Sequence, residues 1–561
     1  MKSKTFICSI IAGLVLAGCN SQSVTSGTAI NPDHTSGKVT FNWFEYSTPG
    51  GPGEAPEGKF LNPVLPGFYP DPSVTKRGDD YYLTTSSFSY TPGLPVLHSK
   101  NLTDWTLIGY ALDRKSQMEF AGASVSRGIF APTIRYHNGL FYIITTSVDN
   151  GGNFIITAEN PEGPWSEPIW LPEVGGIDPD IFFDEDGRVY ITHNDAPPGE
   201  PLYQGHRAIW MWEYDPQSQK VLAESRQLLV NGGVDISKKP IWIEAPHIYK
   251  IGDWYYLSCA EGGTGPQHSQ VVFRSRSLDT PFIPYENNPI LTQRDLTYPR
   301  ANPVDTAGHA DFIQTGEGEW WAVFLGTRPY DFDLYNTGRD TFLLPVEWQN
   351  EWPLILPPET PVPVTVNRPA GTRAAQGTDF YTWKDSFDDK KLSFRWQGLR
   401  EFDRDWLSTG NGELKITPLP GLLSSKEKVS YIGTHQAAAN FAATTEVTIP
   451  AGSTATAGLA AFQSADYHYF FGLHGKNGKY SAFIEQVADG KVSVISERQL
   501  ATSAGEPVTL KVEGKGSGIA FSYKENGKWI SAGDTLDATL LSTQKAGGFV
   551  GTTIGLHARQ Y

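Results

Sequence analysis

One short segment recurs five times between Asn62 and Gly326, and no other feature of the chain limits its fold as tightly. Each copy is Pro-x-Ile/Val behind a small or acidic residue, followed by a polar turn and an aromatic strand. The copies open at Asp71-Pro72-Ser73-Val74, Ala131-Pro132-Thr133-Ile134, Asp178-Pro179-Asp180-Ile181, Ala245-Pro246-His247-Ile248 and Ala310-Asp311-Phe312-Ile313, the last without the proline. Turn residues such as Asn138-Gly139 and Asp186-Gly187 separate two strand-like runs and predict a β-hairpin in each copy. Recurring about every 50 to 65 residues, the hairpins predict an all-β chain with a five-bladed β-propeller over 59–351, whose circular array buries faces that one blade would expose. An irregular β-sandwich with chance likeness among its hairpins is the alternative. The 57 Gly and 40 Pro suit a chain of short strands and many turns.

In a propeller the innermost strands line one axis, so equivalent positions in the repeats converge. Those positions are Asp71, Phe130-Ala131, Asp178, Glu244-Ala245 and His309-Ala310. Three of the five supply a carboxylate, which a purely structural axis would avoid, because confined like charges cost energy or raise a pKa. Taken singly, Asp71 and Asp178 could be turn residues and Glu244 an ion-pair partner. Together they suit glycosidic bond cleavage, in which one acid protonates the leaving oxygen, a second carboxylate activates water, and a third raises the pKa of the donor.

Several strings carry a family resemblance. They are Asn62-Pro63-Val64-Leu65, Tyr69-Pro70-Asp71-Pro72-Ser73, Arg127-Gly128-Ile129-Phe130-Ala131-Pro132, Ile177-Asp178-Pro179, Glu244-Ala245-Pro246-His247, Gly308-His309-Ala310-Asp311 and Gly326-Thr327-Arg328-Pro329. In this order the catalytic region resembles glycoside hydrolase family 43, of the β-xylosidase and α-L-arabinofuranosidase type. The resemblance implies an inverting mechanism with Asp71 as general base, Glu244 as general acid and Asp178 as the residue that orients Glu244 and raises its pKa. It also implies that Arg328 reaches the sugar hydroxyls and that Phe88 and Phe130 wall the terminal sugar subsite, with strand packing or a surface salt bridge as the other reading of Phe88 and Arg328. No cofactor is required. His309 resembles an axial histidine that in some relatives helps hold a calcium ion or a water, and a simply hydrogen-bonded histidine is the other reading. Phe130 and Thr133 depart from the Trp and Asp of many relatives.

Beyond a Pro-, Thr- and Ala-rich connector at 352–379, a second β pattern fills 380–561, with turns at Asn477-Gly478, Asp489-Gly490 and Asn526-Gly527. It predicts a β-sandwich of jelly-roll type. It resembles the concanavalin-like domain of family 43 β-xylosidases, which implies packing on the propeller and a loop sent toward the pocket. Trp396 and Trp406 are read as core residues or as a carbohydrate-binding surface.

At the other end, Met1-Lys2-Ser3-Lys4, an apolar run and Leu16-Ala17-Gly18-Cys19 read as a lipoprotein signal peptide over 1–18 with Cys19 as the lipidated residue. Residues 19–58 are expected to be a tether, with Val39 to Tyr46 able to form a short strand. The lipid is then the only membrane anchor, at the outer membrane or periplasmic face. Cys259 is expected in the core. The formal charge of −16 excludes a nucleic-acid partner. The sequence thus implies an exo-acting hydrolase that releases terminal β-D-xylose from xylo-oligosaccharides or arabinoxylan fragments. The rivals are an α-L-arabinofuranosidase or dual-specificity enzyme, and a non-catalytic glycan-binding lipoprotein.

Overall fold

A computed structural model describes residues 37–560. The signal segment, Cys19 and the lipid anchor expected there lie outside the described residues. Five consecutive antiparallel sheets of four or five strands fill 73–354, and each opens on a strand carrying one copy of the repeat: Ser73–Arg77, Ile129–His137, Ile177–Phe183, Glu244–Ile251 and Asp305–Gln314. These inner strands pack against one another in chain order, and the fifth returns to the first, closing a β-propeller.

The repeat's proline explains the local geometry. Lacking an N–H donor, proline is excluded from a regular ladder and sits at edges, strand starts or bulges. Pairing of the inner strands accordingly shifts register between Phe130 and Thr133, between Ile177 and Asp180, and between Glu244 and His247. The fifth strand, without the proline, shifts on both sides of Gly308. Asp71, Asp178, Ala245 and His309 have φ between 49° and 55°, a left-handed conformation that L residues rarely adopt. A bulge, a positive φ or both re-aim the backbone at the head of each strand: the first has the positive φ alone, the second the register shift alone, and the other three have both.

Two residues further along, the axis is sealed by a buried ionic plug contributed by all five sheets. Arg135 pairs with Asp311 at 2.7 Å and with Asp180 at 3.1 Å, and meets His247 Nδ1 at 3.0 Å. Ser73 and Tyr249 each donate to Asp311 at 2.6 Å. The cation and two carboxylates share charge where none could be left alone.

The second domain is a sandwich of a six-stranded and a nine-stranded sheet. Its larger sheet includes Val39–Ser47, which pairs with Phe441–Thr448, Glu413–Ile416 and Trp383–Asp385. The expected tether therefore does not run to residue 58. Val39, Phe41, Phe44 and Tyr46 are fully buried, so this N-terminal strand supplies an apolar face to the sandwich core. The propeller is thus threaded between the sandwich's first strand and the rest of it. Trp396 and Trp406 are buried core residues, as is Cys259 in the propeller. The connector is ordered: Trp352–Leu354 completes the fifth sheet and Thr365–Asn367 pairs with Lys59–Leu61.

Candidate active site

At the head of the inner strands lies a cavity of about 480 Å³. It is lined by Asp71, Asp178 and Glu244 together with Phe130 and His309, five residues that the repeat brings to one place, and by Phe88 from the loop between Asp80–Thr84 and Tyr90–Thr91. A larger groove of about 1010 Å³ where the connector crosses the first sheet carries exposed acids and the paired Arg368–Asp104, with no convergence of buried carboxylates.

The three acids are buried but unequally partnered. Asp71 accepts a hydrogen bond from Ser86 Oγ at 2.6 Å and is held by the Arg339 guanidinium, with His309 Nδ1 at 3.7 Å. Burial alone would raise its pKa, but the Arg339 charge and the hydrogen bonds from Ser86 and Arg339 outweigh it and hold the carboxyl below its ordinary value. Glu244 stands one residue before the positive-φ position, and among the described residues no side chain hydrogen-bonds its carboxyl. Burial and then the Asp71 charge push it up to about 7, against Arg339 and Arg207. Asp178 is also raised, by burial first and then by the charges of Glu244 and Asp71. The site therefore holds an ionised carboxylate opposite a pair of carboxyls that retain protons near neutral pH.

Arg328 is not among the residues of this cavity. It forks onto Asp340 at 2.6 and 3.0 Å and donates to the Ala437 carbonyl at 2.7 Å, clamping the sandwich to the propeller. Asp340, also bonded to the Gly67 N–H, captures Arg328, and Arg339 enters the cavity in its place. Nor do the residues around His309 fit a calcium ion. Among the described residues no group of three or more His, Cys, Asp or Glu side chains could hold a metal. The one carboxylate beside His309 is already bound to a guanidinium, and hard cations seek several oxygen ligands. Burial instead drives His309 down to about 3, a neutral imidazole beside Asp71.

Residues outside the repeat complete the walls. Phe549 arrives from the sandwich, 41% exposed, stacked on Phe88 at 6.2 Å and edge-on to Phe130 at 5.7 Å, with its N–H on Ser126 Oγ. Arg207 and Trp242 stand near Glu244. Phe549 fulfils the loop expected from the second domain, but nothing in its local sequence marks the residue. Arg339, in Gly-Arg-Asp ahead of the strand Asp340–Gln349, could have been weighed against Arg328, since both flank the same loop.

The model of the glycosyl hydrolases family 43 matches residues 60–353, and that of the β-xylosidase C-terminal concanavalin A-like domain matches 384–561. A xylosidase/arabinosidase of Butyrivibrio fibrisolvens is 37% identical over 509 residues, covering 89% of this chain and 95% of that protein. A non-reducing end α-L-arabinofuranosidase of Bacteroides ovatus is 35% identical, covering 89% and 91%. Among solved structures, a family 43 protein retrieved from a capybara gut metagenome superposes with a TM-score of 0.87 at 36% identity, over 93% of this chain and 99% of that one.

Proposed function

The chain belongs to glycoside hydrolase family 43, and from that premise we propose that it is an inverting, exo-acting enzyme releasing terminal β-D-xylose from xylo-oligosaccharides and arabinoxylan fragments. Asp71, kept ionised by Arg339, takes a proton from water as that water attacks the anomeric carbon. Glu244, raised to about 7, gives its proton to the departing glycosidic oxygen. Burial and the Asp71 charge keep this donor protonated, and Asp178, lining the same cavity and itself holding a proton, orients it. A single displacement of this kind inverts the anomeric configuration.

The observation that carries the choice of sugar is the apolar corner of Phe88, Phe130 and Phe549. Xylopyranose has no exocyclic hydroxymethyl group, so its C5 edge meets such a wall without stranding a hydroxyl. Arabinofuranose would place one there. The Phe549 loop also narrows one side of the cavity, which favours removal of single terminal sugars. The relatives' names favour a second reading, α-L-arabinofuranosidase or dual specificity. Initial rates on aryl β-D-xylopyranoside and aryl α-L-arabinofuranoside at equal concentration test the choice. Preference for the xyloside is expected, and preference for the arabinoside would overturn it.

Residues 1–18 and Cys19 support export as a lipoprotein to the outer membrane or periplasmic face. The mass of the mature N-terminal peptide tests this: a diacylglyceryl or triacyl Cys19 is expected, and an unmodified N-terminus would contradict it.

A further inference from the structure

Two features of the cavity remain without a part in the chemistry above: Trp242, whose indole is 39% exposed at the mouth, and the guanidinium of Arg207 lying 5.0 Å from its ring centre. Most exposed aromatics need no explanation. Trp242 is different because the chain holds it there against local preference. Its φ is 50°, in the left-handed region that disfavours a bulky side chain. Its N–H is tied to the Gly205 carbonyl at 2.9 Å, and the neighbouring Ile241 carbonyl accepts from the Gly262 N–H at 2.8 Å. Arg207 is fixed in turn by two hydrogen bonds to the buried Asn194 side chain, at 2.7 and 3.0 Å. Three segments, around 205, 241 and 262, thus converge to present one indole face outside the core.

The position identifies what the face meets. Trp242 lies two residues before Glu244, and Arg207 acts electrostatically on that same carboxyl. Arg339 joins Asp71 to the phenylalanine corner in the same cavity, and the function proposed above gives that group the sugar to be released. The proton donor faces the departing oxygen, so a platform beside the donor faces the group that departs.

Resting on the function proposed above, we propose that Trp242, held by Arg207, is the platform on which the leaving-group sugar stacks, and that it selects a flat pyranose with equatorial hydroxyls, such as the next xylose of a chain. Such a ring presents axial C–H groups to an indole face and keeps its hydroxyls at the edge, where Arg207 can reach them.

The test compares two donors with the same sugar and different leaving groups, xylobiose and β-D-xylosyl fluoride, in the full-length protein. Fluoride has no ring to stack. For Trp242→Ala the ratio of kcat/KM for xylobiose to that for the fluoride is expected to fall at least about tenfold, and Trp242→Phe should restore most of it. Equal loss on both substrates, or an unchanged ratio, would overturn the platform while leaving the proposed function standing. A wild-type enzyme that releases xylose from neither donor would overturn the proposed function and this inference with it.

Discussion

The same inner strands carry two rings of acids about two residues apart, and the rings behave in opposite ways. In the plug, Asp180 and Asp311 close on Arg135, and Asp311 is held far below its ordinary pKa because Arg135 and His247 outweigh the cost of burial. In the cavity, three carboxylates face Arg339 and Arg207, and two of the three are raised. Residue type and burial are matched, so what separates a structural acid from a proton-holding one is the local supply of cations and donors. Converging acids alone do not make an active site; converging acids left short of partners do.

The comparison breaks most sharply at Glu244. Glu244→Ala should lower kcat on substrates with poor leaving groups roughly 10²- to 10⁴-fold with an unchanged melting temperature, since a proton donor is removed and no side-chain hydrogen bond is lost. An unchanged rate on xylobiose would contradict the assignment. Arg135→Met is the mirror image. It strands Asp180 and Asp311 without their cation and should cost about 3–5 kcal/mol of stability, read by urea unfolding. A cost below about 1 kcal/mol would mean that the plug does not hold the sheets together.

Asp178→Asn sharpens the contrast within the cavity. Asp178 holds its own proton near neutral pH, so the amide removes no charge there: the alkaline limb set by Glu244 should stay in place, while kcat should fall about tenfold as the donor loses its orienting neighbour. A limb that moves to lower pH would mean that Asp178 is ionised and tunes the donor by its charge. The smallest effect is expected from Phe549→Ala, which should raise KM for aryl xylosides several-fold and leave stability nearly unchanged, because the side chain is partly exposed. A KM equal to wild type would remove the sandwich from the pocket's function.

The propeller and its three acids were legible because the repeat marks the head of each inner strand, and Asp71, Asp178 and Glu244 stand at or just before that mark. Phe130 and His309 stand at the same repeat positions, and Phe88 was reached through the family resemblance alone. The rest follows rules that leave no period. Phe549 comes from another domain, and Trp242 and Arg207 come from loops between sheets. Arg339 takes the place expected of Arg328 because Asp340, adjacent to Arg339, binds Arg328. Val39–Ser47 showed its alternation locally, but its partners lie about 400 residues away, and only tertiary pairing turns a stretch next to a tether into a core strand.

The most direct test is the pH dependence of kcat/KM for wild type and Glu244→Ala on an aryl xyloside whose activated leaving group needs little protonation. Wild type should lose activity as pH rises through about 7, where Glu244 gives up its proton. The variant should be slower and show no such fall. A variant that keeps the same alkaline limb would place the proton on another group and contradict the division of the axis into paired and proton-holding acids.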